Sequence, residues 1–132
     1  MTTLSDEQAQ LFLGKNFGTV ATVRSDGSPH LTVLWLDWDG QNVVLNTAYG
    51  RAKPRHLQRD PRVTVTVFPP EDPYRYVSVS GTAELIDEGA AEHIHKLGKK
   101  YRGWDEYPLE PGERRVIIKV HAERIDAHGF SR

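Results

Sequence analysis

The sequence predicts a mainly β fold, a small β-barrel of six or so antiparallel strands with short helices packed against it. Three observations predict it. Runs rich in β-branched residues recur along the chain, as in Phe17–Arg24, Val63–Phe68 and Arg114–Ile125. Short stretches of turn chemistry separate most of them. Only three segments carry helical spacing, and all are short.

Taken in order, Ser5 stands three residues before Gln8, the spacing of a capping box that satisfies free N–H groups at a helix start. Leu4, Ala9, Leu11, Phe12 and Leu13 supply its apolar contacts, and Gly14 suits its end. Phe17–Arg24 is then a strand, Ser25-Asp26-Gly27-Ser28-Pro29 a turn, and His30–Trp38 a second strand. Asp39-Gly40 signals a hairpin into Val43–Ala48, so these three strands form an antiparallel meander. Trp35 and Trp38 sit at odd spacing in one strand and point to opposite faces, so one needs cover from elsewhere, such as a subunit interface. Between Tyr49 and Arg62 the β pattern stops. Pro54 fits a first helical position and Pro61 ends the helix. Val63–Phe68 is a fourth strand and Tyr74–Ile86 a fifth, with Gly81 marking a bulge. Asp87–Lys100 places Ala90, Ala91, Ile94 and Leu97 at helical spacing, acids first and lysines last, as the helix dipole favours. Arg114–Ile125 closes the set.

Composition removes several functions. The chain has 132 residues, the size of one domain, with 38% hydrophobic and 27% charged residues. No apolar run approaches the ~20 residues that span a bilayer. The N-terminus lacks a basic segment followed by an apolar run, which predicts no signal peptide. Cysteine is absent, excluding disulfides, thiolate nucleophiles and cysteine-ligated zinc and suiting a cytoplasmic location. A net charge of −1 argues against a nucleic-acid partner held by overall basicity. His93 and His95, two apart on a helix, diverge too far to share a metal. No H-E-x-x-H pattern, serine elbow or paired carboxylate motif occurs. A reactive atom belonging to a bound cofactor is the reading that remains.

The densest charge lies in the connector. Arg51, Lys53, Arg55, Arg59 and Arg62 fall within twelve residues, opposed only by Asp60. A helix starting near Pro54 directs free N–H groups forward, and Arg51 and Lys53 just before it bring cations to the same place. That combination suits a phosphate; the same residues also suit a solvated basic face, with Lys53 an exposed cation of little consequence to folding. Tyr74 and Tyr76 share a face of the fifth strand, and Tyr101, Trp104 and Tyr107 punctuate the loop before the last. Core packing, dimer burial or a ligand plane would each account for them.

G-T-V-A-T-V-R-S-D-G-S-P-H (18–30), N-T-A-Y-G-R-A-K-P-R-H-L-Q-R-D-P-R-V (46–63) and V-S-V-S-G-T-A-E-L (77–85) together resemble the pyridoxamine-phosphate-oxidase-like split β-barrel family. Within it the chain looks most like the deazaflavin branch, the PPOX-class coenzyme F-420-dependent oxidoreductases; Y-R-G-W-D-E-Y-P (101–108) followed by R-R-V-I-I-K-V is similar to that branch's C-terminal region. The resemblance implies a homodimer with two cofactor sites at its interface and a connector that grips the cofactor phosphate through Arg51 and Lys53, with Arg55 a third contact. It implies that His30, Thr32, Val33 and Leu34 run beside the cofactor ring and that Thr47 and Ala48 lie by its ribityl chain. Tyr74 and Tyr76 would reach in from the other subunit. The expected reaction is hydride transfer from reduced coenzyme F-420 to a small conjugated substrate such as an enone, a quinone or a tetrapyrrole like biliverdin. The alternatives are an FMN oxidase or reductase of the same fold and a cofactor- or tetrapyrrole-binding protein without turnover.

Overall fold

The computed structural model describes residues 2–130. Its elements run α1 (Asp6–Leu13), β1 (Phe17–Val23), β2 (Pro29–Trp35), β3 (Asp37–Trp38), β4 (Val43–Ala48), α2 (Ala52–Arg59), β5 (Arg62–Val67), β6 (Tyr76–Ile86), α3 (Ala90–Arg102) and β7 (Arg115–His128). The seven strands form one antiparallel sheet in the order β2-β1-β5-β6-β7-β4-β3, curled into a half-barrel.

The capping box forms as its spacing predicts: the Gln8 N–H donates to Ser5 Oγ at 3.2 Å and the Ser5 N–H to Gln8 Oε1 at 3.0 Å. In β5, Val63, Val65 and Val67 are buried, while Thr64 and Thr66 hydrogen-bond Ser80 and Ser78 across the pair. The bulge at Gly81 is real, but the extra residue lies on the partner strand. Ser80 pairs with Arg124 and Gly81 with Ala122, which leaves Glu123 unpaired. A Cβ on Gly81 would sit 1.9 Å from the His121 carbonyl oxygen, so only glycine permits the strands to approach here. Phe12, Val20, Leu45, Val65, Val79 and Ile118 form the centre of the core inside the curl.

The expected second strand is broken, and the meander with it. Leu36 interrupts the strand, leaving β2 on β1 and the two-residue β3 on β4. β4 then pairs with β7 and not with β2. The two edge strands of the sheet are thus joined through one residue, which obliges the sheet to curl until its edges nearly meet. The unpaired backbone at the break is satisfied by α3: the Leu36 N–H donates to the Tyr101 hydroxyl at 2.9 Å, and Lys100 Nζ donates to the Leu36 carbonyl at 2.7 Å. Burial draws the Lys100 ammonium down to about 8 and pushes the Tyr101 hydroxyl up to about 12. Trp35 finds its cover within the chain, stacked on Tyr101 at 5.3 Å, whereas Trp38 packs on the main core.

Candidate functional site

α2 begins two residues earlier than Pro54 suggests. Arg51 is its N-cap, with no side-chain cap, Lys53 lies in its first turn and Pro54 is third. Proline is tolerated there because the N–H it lacks has no partner in the first turn. Placing Lys53 inside the helix changes its character. The residue is only 8% exposed, so it is not the surface cation expected from the sequence. Its Nζ donates to Thr32 Oγ1 on β2 at 2.8 Å, and no carboxylate pairs with it among the described residues. Burial first, and the neighbouring Arg51 guanidinium second, hold its pKa below the ordinary lysine value. Arg51 likewise has no ion pair among the described residues, Arg55 reaches only the Gly50 carbonyl at 3.3 Å, and Arg59 the Val23 carbonyl at 2.7 Å. The single acid of the stretch, Asp60, is occupied by Arg62 at 2.7 Å. A buried ammonium, a second cation and an uncapped helix start therefore share one place, with no carboxylate paired to either cation among the described residues, the arrangement of an anion site.

β2 separates its predicted residues by face. His30, Thr32 and Leu34 pair with Thr22, Val20 and Gly18 of β1, all buried, and so face the inside of the curl. Leu31 and Val33 face outward at 61% and 65% exposure, beside Phe17 at 52%. His30 Nδ1 is buried without a hydrogen-bond partner, and its ring meets that of His56 edge-on at 5.0 Å. Burial lowers the pKa of both rings, followed by Arg24 and Lys53 at His30 and by the His30 ring and then the arginines at His56, which favours their neutral forms. His56 Nδ1 shares a 2.8 Å hydrogen bond with Thr22 Oγ1.

A cleft of about 290 Å³ opens between the end of β2, the bend and α3. Val33, Leu34 and Trp35 line it together with Asn46, Arg51, Tyr107 and Arg115. Of the residues singled out in the sequence, Arg51, Val33 and Leu34 line this cleft, while Lys53 and Thr32 bond each other and are not among its lining residues. Thr47 and Ala48 are buried beside Asn46, and Thr47 Oγ1 also lacks a partner. Tyr74 and Tyr76 are elsewhere and do not share a strand face, because β6 begins only at Tyr76: Tyr74 lies 77% exposed in the turn before it, and Tyr76 stacks on His128 at 5.8 Å, away from this chain's own cleft.

Sequence reasoning missed Phe17, Asn46 and Arg115 as lining residues, and singled out Tyr107 only as one of several aromatic residues of its loop. Asn46 carried a signal, being an amide in a strand whose every residue is buried. Arg115 carried less, since nothing in the pair Arg114-Arg115 says which side chain turns inward. The histidines of α3 have separate partners. His93 Nε2 meets the Asp37 carboxylate at 2.9 Å, and His95 Nδ1 accepts the Tyr107 N–H at 2.8 Å. Burial pushes the Asp37 carboxyl up, yet hydrogen bonds from His93, the Trp38 N–H and Lys96 outweigh it and hold the pKa at about 2. No helix of the described residues is long and apolar enough to cross a membrane.

The family profile described as pyridoxamine 5'-phosphate oxidase matches residues 4–129. A pyridoxine/pyridoxamine 5'-phosphate oxidase of Pseudomonas paraeruginosa is 31% identical over 83% of this chain and 51% of its own length. The chain thus spans about half the length of the first curated relatives it matches. A biliverdin reductase of Mycobacterium tuberculosis that depends on reduced F-420 is 25% identical over 94% of this chain and 88% of its own. Among solved structures, an F-420 reductase aligns with a TM-score of 0.79 at 30% identity, covering 93% of this chain and 98% of that one. A conserved hypothetical protein of M. tuberculosis gives 0.75 at 28% identity, covering 95% and 84%.

Proposed function

Since this chain belongs to the pyridoxamine 5'-phosphate oxidase family of oxidoreductases, we propose that it is a reductase using reduced coenzyme F-420 to deliver a hydride to a small conjugated molecule. The substrate class is an enone, a quinone or a tetrapyrrole such as biliverdin, and the setting is the cytoplasm. The observation that carries this reading is the buried Lys53 ammonium, which has no counter-charge and lies beside Arg51 at the start of α2. The relatives that name F-420, one similar over 98% of its length, favour the deazaflavin.

The residues fit such a group. Arg51, Lys53 and Arg55 supply charge-assisted donors for its phosphate. The unpartnered Thr47 Oγ1 and His30 Nδ1 are polar atoms that a ligand running along β2 and β4 would satisfy. When bound, reduced coenzyme F-420 supplies a hydride, always with two electrons. Val33, Leu34 and Trp35 keep water from the reacting face, and the rigid β2 edge orients what lies against it. The protein works as a homodimer: the exposed apolar strip of Phe17, Leu31 and Val33 is covered by a second copy, which extends Tyr74 and Tyr76 towards its neighbour's cleft.

A second reading keeps the fold and exchanges the cofactor for FMN. The phosphate-oxidase names of the more identical curated relatives favour it, and the basic bend would serve either phosphate. Titration of the purified chain with each coenzyme, followed by oxidation of the reduced deazaflavin against an enone, quinone and biliverdin panel, separates the two. Binding of FMN alone, or coenzyme F-420 binding without turnover on the whole panel, would overturn the proposed reaction.

A further inference from the structure

Arg115 is the least expected group in the cleft. It is 7% exposed, yet it lines the cavity rather than the core. Its Nε donates to Asn46 Oδ1 at 2.9 Å, its Nη1 to Glu113 Oε2 at 2.8 Å, and the guanidinium lies 5.1 Å from the Tyr107 ring centroid. The remaining nitrogen, Nη2, has no acceptor among the described residues and is not sealed from solvent.

The hold on that guanidinium is itself held. Because Nε–H needs the Asn46 oxygen, the Asn46 amide nitrogen faces the Ala90 carbonyl at 2.9 Å and His93 Nδ1 at 3.0 Å. His93 must then accept at Nδ1 and donate from Nε2 to Asp37, which Lys96 braces at 3.1 Å. The chain Lys96–Asp37–His93–Asn46 thus fixes one edge of Arg115, and Glu113 fixes another. A guanidinium carries five N–H donors, so a fixed one with a free edge is prepared for a further acceptor. With Arg51 given to the coenzyme phosphate, Arg115 is the cation left to the rest of the cleft, and most of the remaining lining is apolar or aromatic.

We infer that Arg115 is a specificity-determining residue that selects a flat substrate bearing a carboxylate, received at its free Nη2 edge with the hydrocarbon against Trp35 and Tyr107. This deepens the reductase reading and rests on the cleft being its substrate side. The cleft volume lies at the small end of ligand sites, which suits a two-ring body or one arm of a larger molecule.

The test is calorimetric titration with 2-naphthoate and with uncharged 2-naphthalenemethanol, with and without saturating coenzyme F-420. The account expects naphthoate to bind about ten- to a hundred-fold tighter, the effect of a hydrogen bond to a charged group. Arg115→Met should abolish that preference while sparing the alcohol. Should that variant fail to fold, Glu113→Gln leaves Arg115 in place, removes its competing acid and should widen the preference several-fold. Equal binding of the two probes overturns the inference. So does a preference that survives Arg115→Met, that disappears only in Arg51→Met, or that Glu113→Gln leaves unchanged. Competition between naphthoate and the coenzyme would assign the subsite to the coenzyme and overturn the substrate assignment. Failure of the coenzyme to bind, with naphthoate still preferred, would instead refute the reductase reading and leave the carboxylate subsite standing.

Discussion

Replacing Lys53 by Met separates binding from folding, because the same burial acts on both in opposite directions. Methionine keeps the buried apolar stem and deletes the ammonium. In the wild-type chain that ammonium is desolvated and repelled by Arg51, with one neutral hydrogen bond, to Thr32, in return. Burying a charge without an opposite partner costs free energy, so the unliganded variant should be at least as stable as wild type. A gain of about 1 kcal/mol would raise the melting midpoint by roughly 3–5 °C for a domain this size. Coenzyme binding should move the other way. A hydrogen bond to a charged group contributes about 1.5–3 kcal/mol, so Kd should rise about ten- to a hundred-fold. Differential scanning calorimetry and an equilibrium titration with coenzyme F-420 at two salt concentrations measure both quantities. Added salt should weaken wild-type binding more than that of the variant, since one ionic contact has gone. A variant that melts lower and binds the coenzyme normally would refute the reasoning and make Lys53 a packing residue.

Gly81→Ala should destabilise by about 3 kcal/mol or more in urea unfolding, because the new methyl meets the His121 backbone; Gly18→Ala meets the fully buried Leu36 side chain and should cost about 1–3 kcal/mol. Tyr101→Phe leaves the Leu36 N–H and the Asn16 carbonyl without the hydroxyl and should cost about 1–3 kcal/mol by the same assay. Asp37, held at about 2 in the fold against 3.8 unfolded, contributes stability that is complete above pH ~4 and lost as pH falls towards 2. Asp37→Asn should flatten that acid limb of a stability–pH curve. A limb as steep as wild type would mean that another carboxylate governs it.

Local chemistry was legible where local chemistry decides. The capping box at Ser5 and Gln8 and the alternation in Val63–Val67 name their elements from neighbours in sequence, and Pro54 and Pro61 name the presence of α2 though not its first residue. The break at Leu36 was not legible, because His30–Trp38 is an unbroken β pattern. What interrupts it is the pair Lys100 and Tyr101, more than sixty residues away, which supplies partners to the Leu36 backbone. The cleft was half legible for a related reason. The cations of the bend are contiguous, so their density is visible; Asn46, Tyr107 and Arg115 come from three separate segments and meet only through the β4–β7 pairing and the packing of α3. Burial inverted one reading altogether, since a helix starting at Ala52 turns Lys53 inward.

The account stands most directly on where a coenzyme's phosphate lies. A crystal structure of the chain grown with coenzyme F-420 should place that phosphate within hydrogen-bonding distance of Lys53 Nζ and Arg51, with the ring system along Val33 and Leu34. Density for the coenzyme anywhere else, or a bend still without an anion at saturating coenzyme, would contradict it.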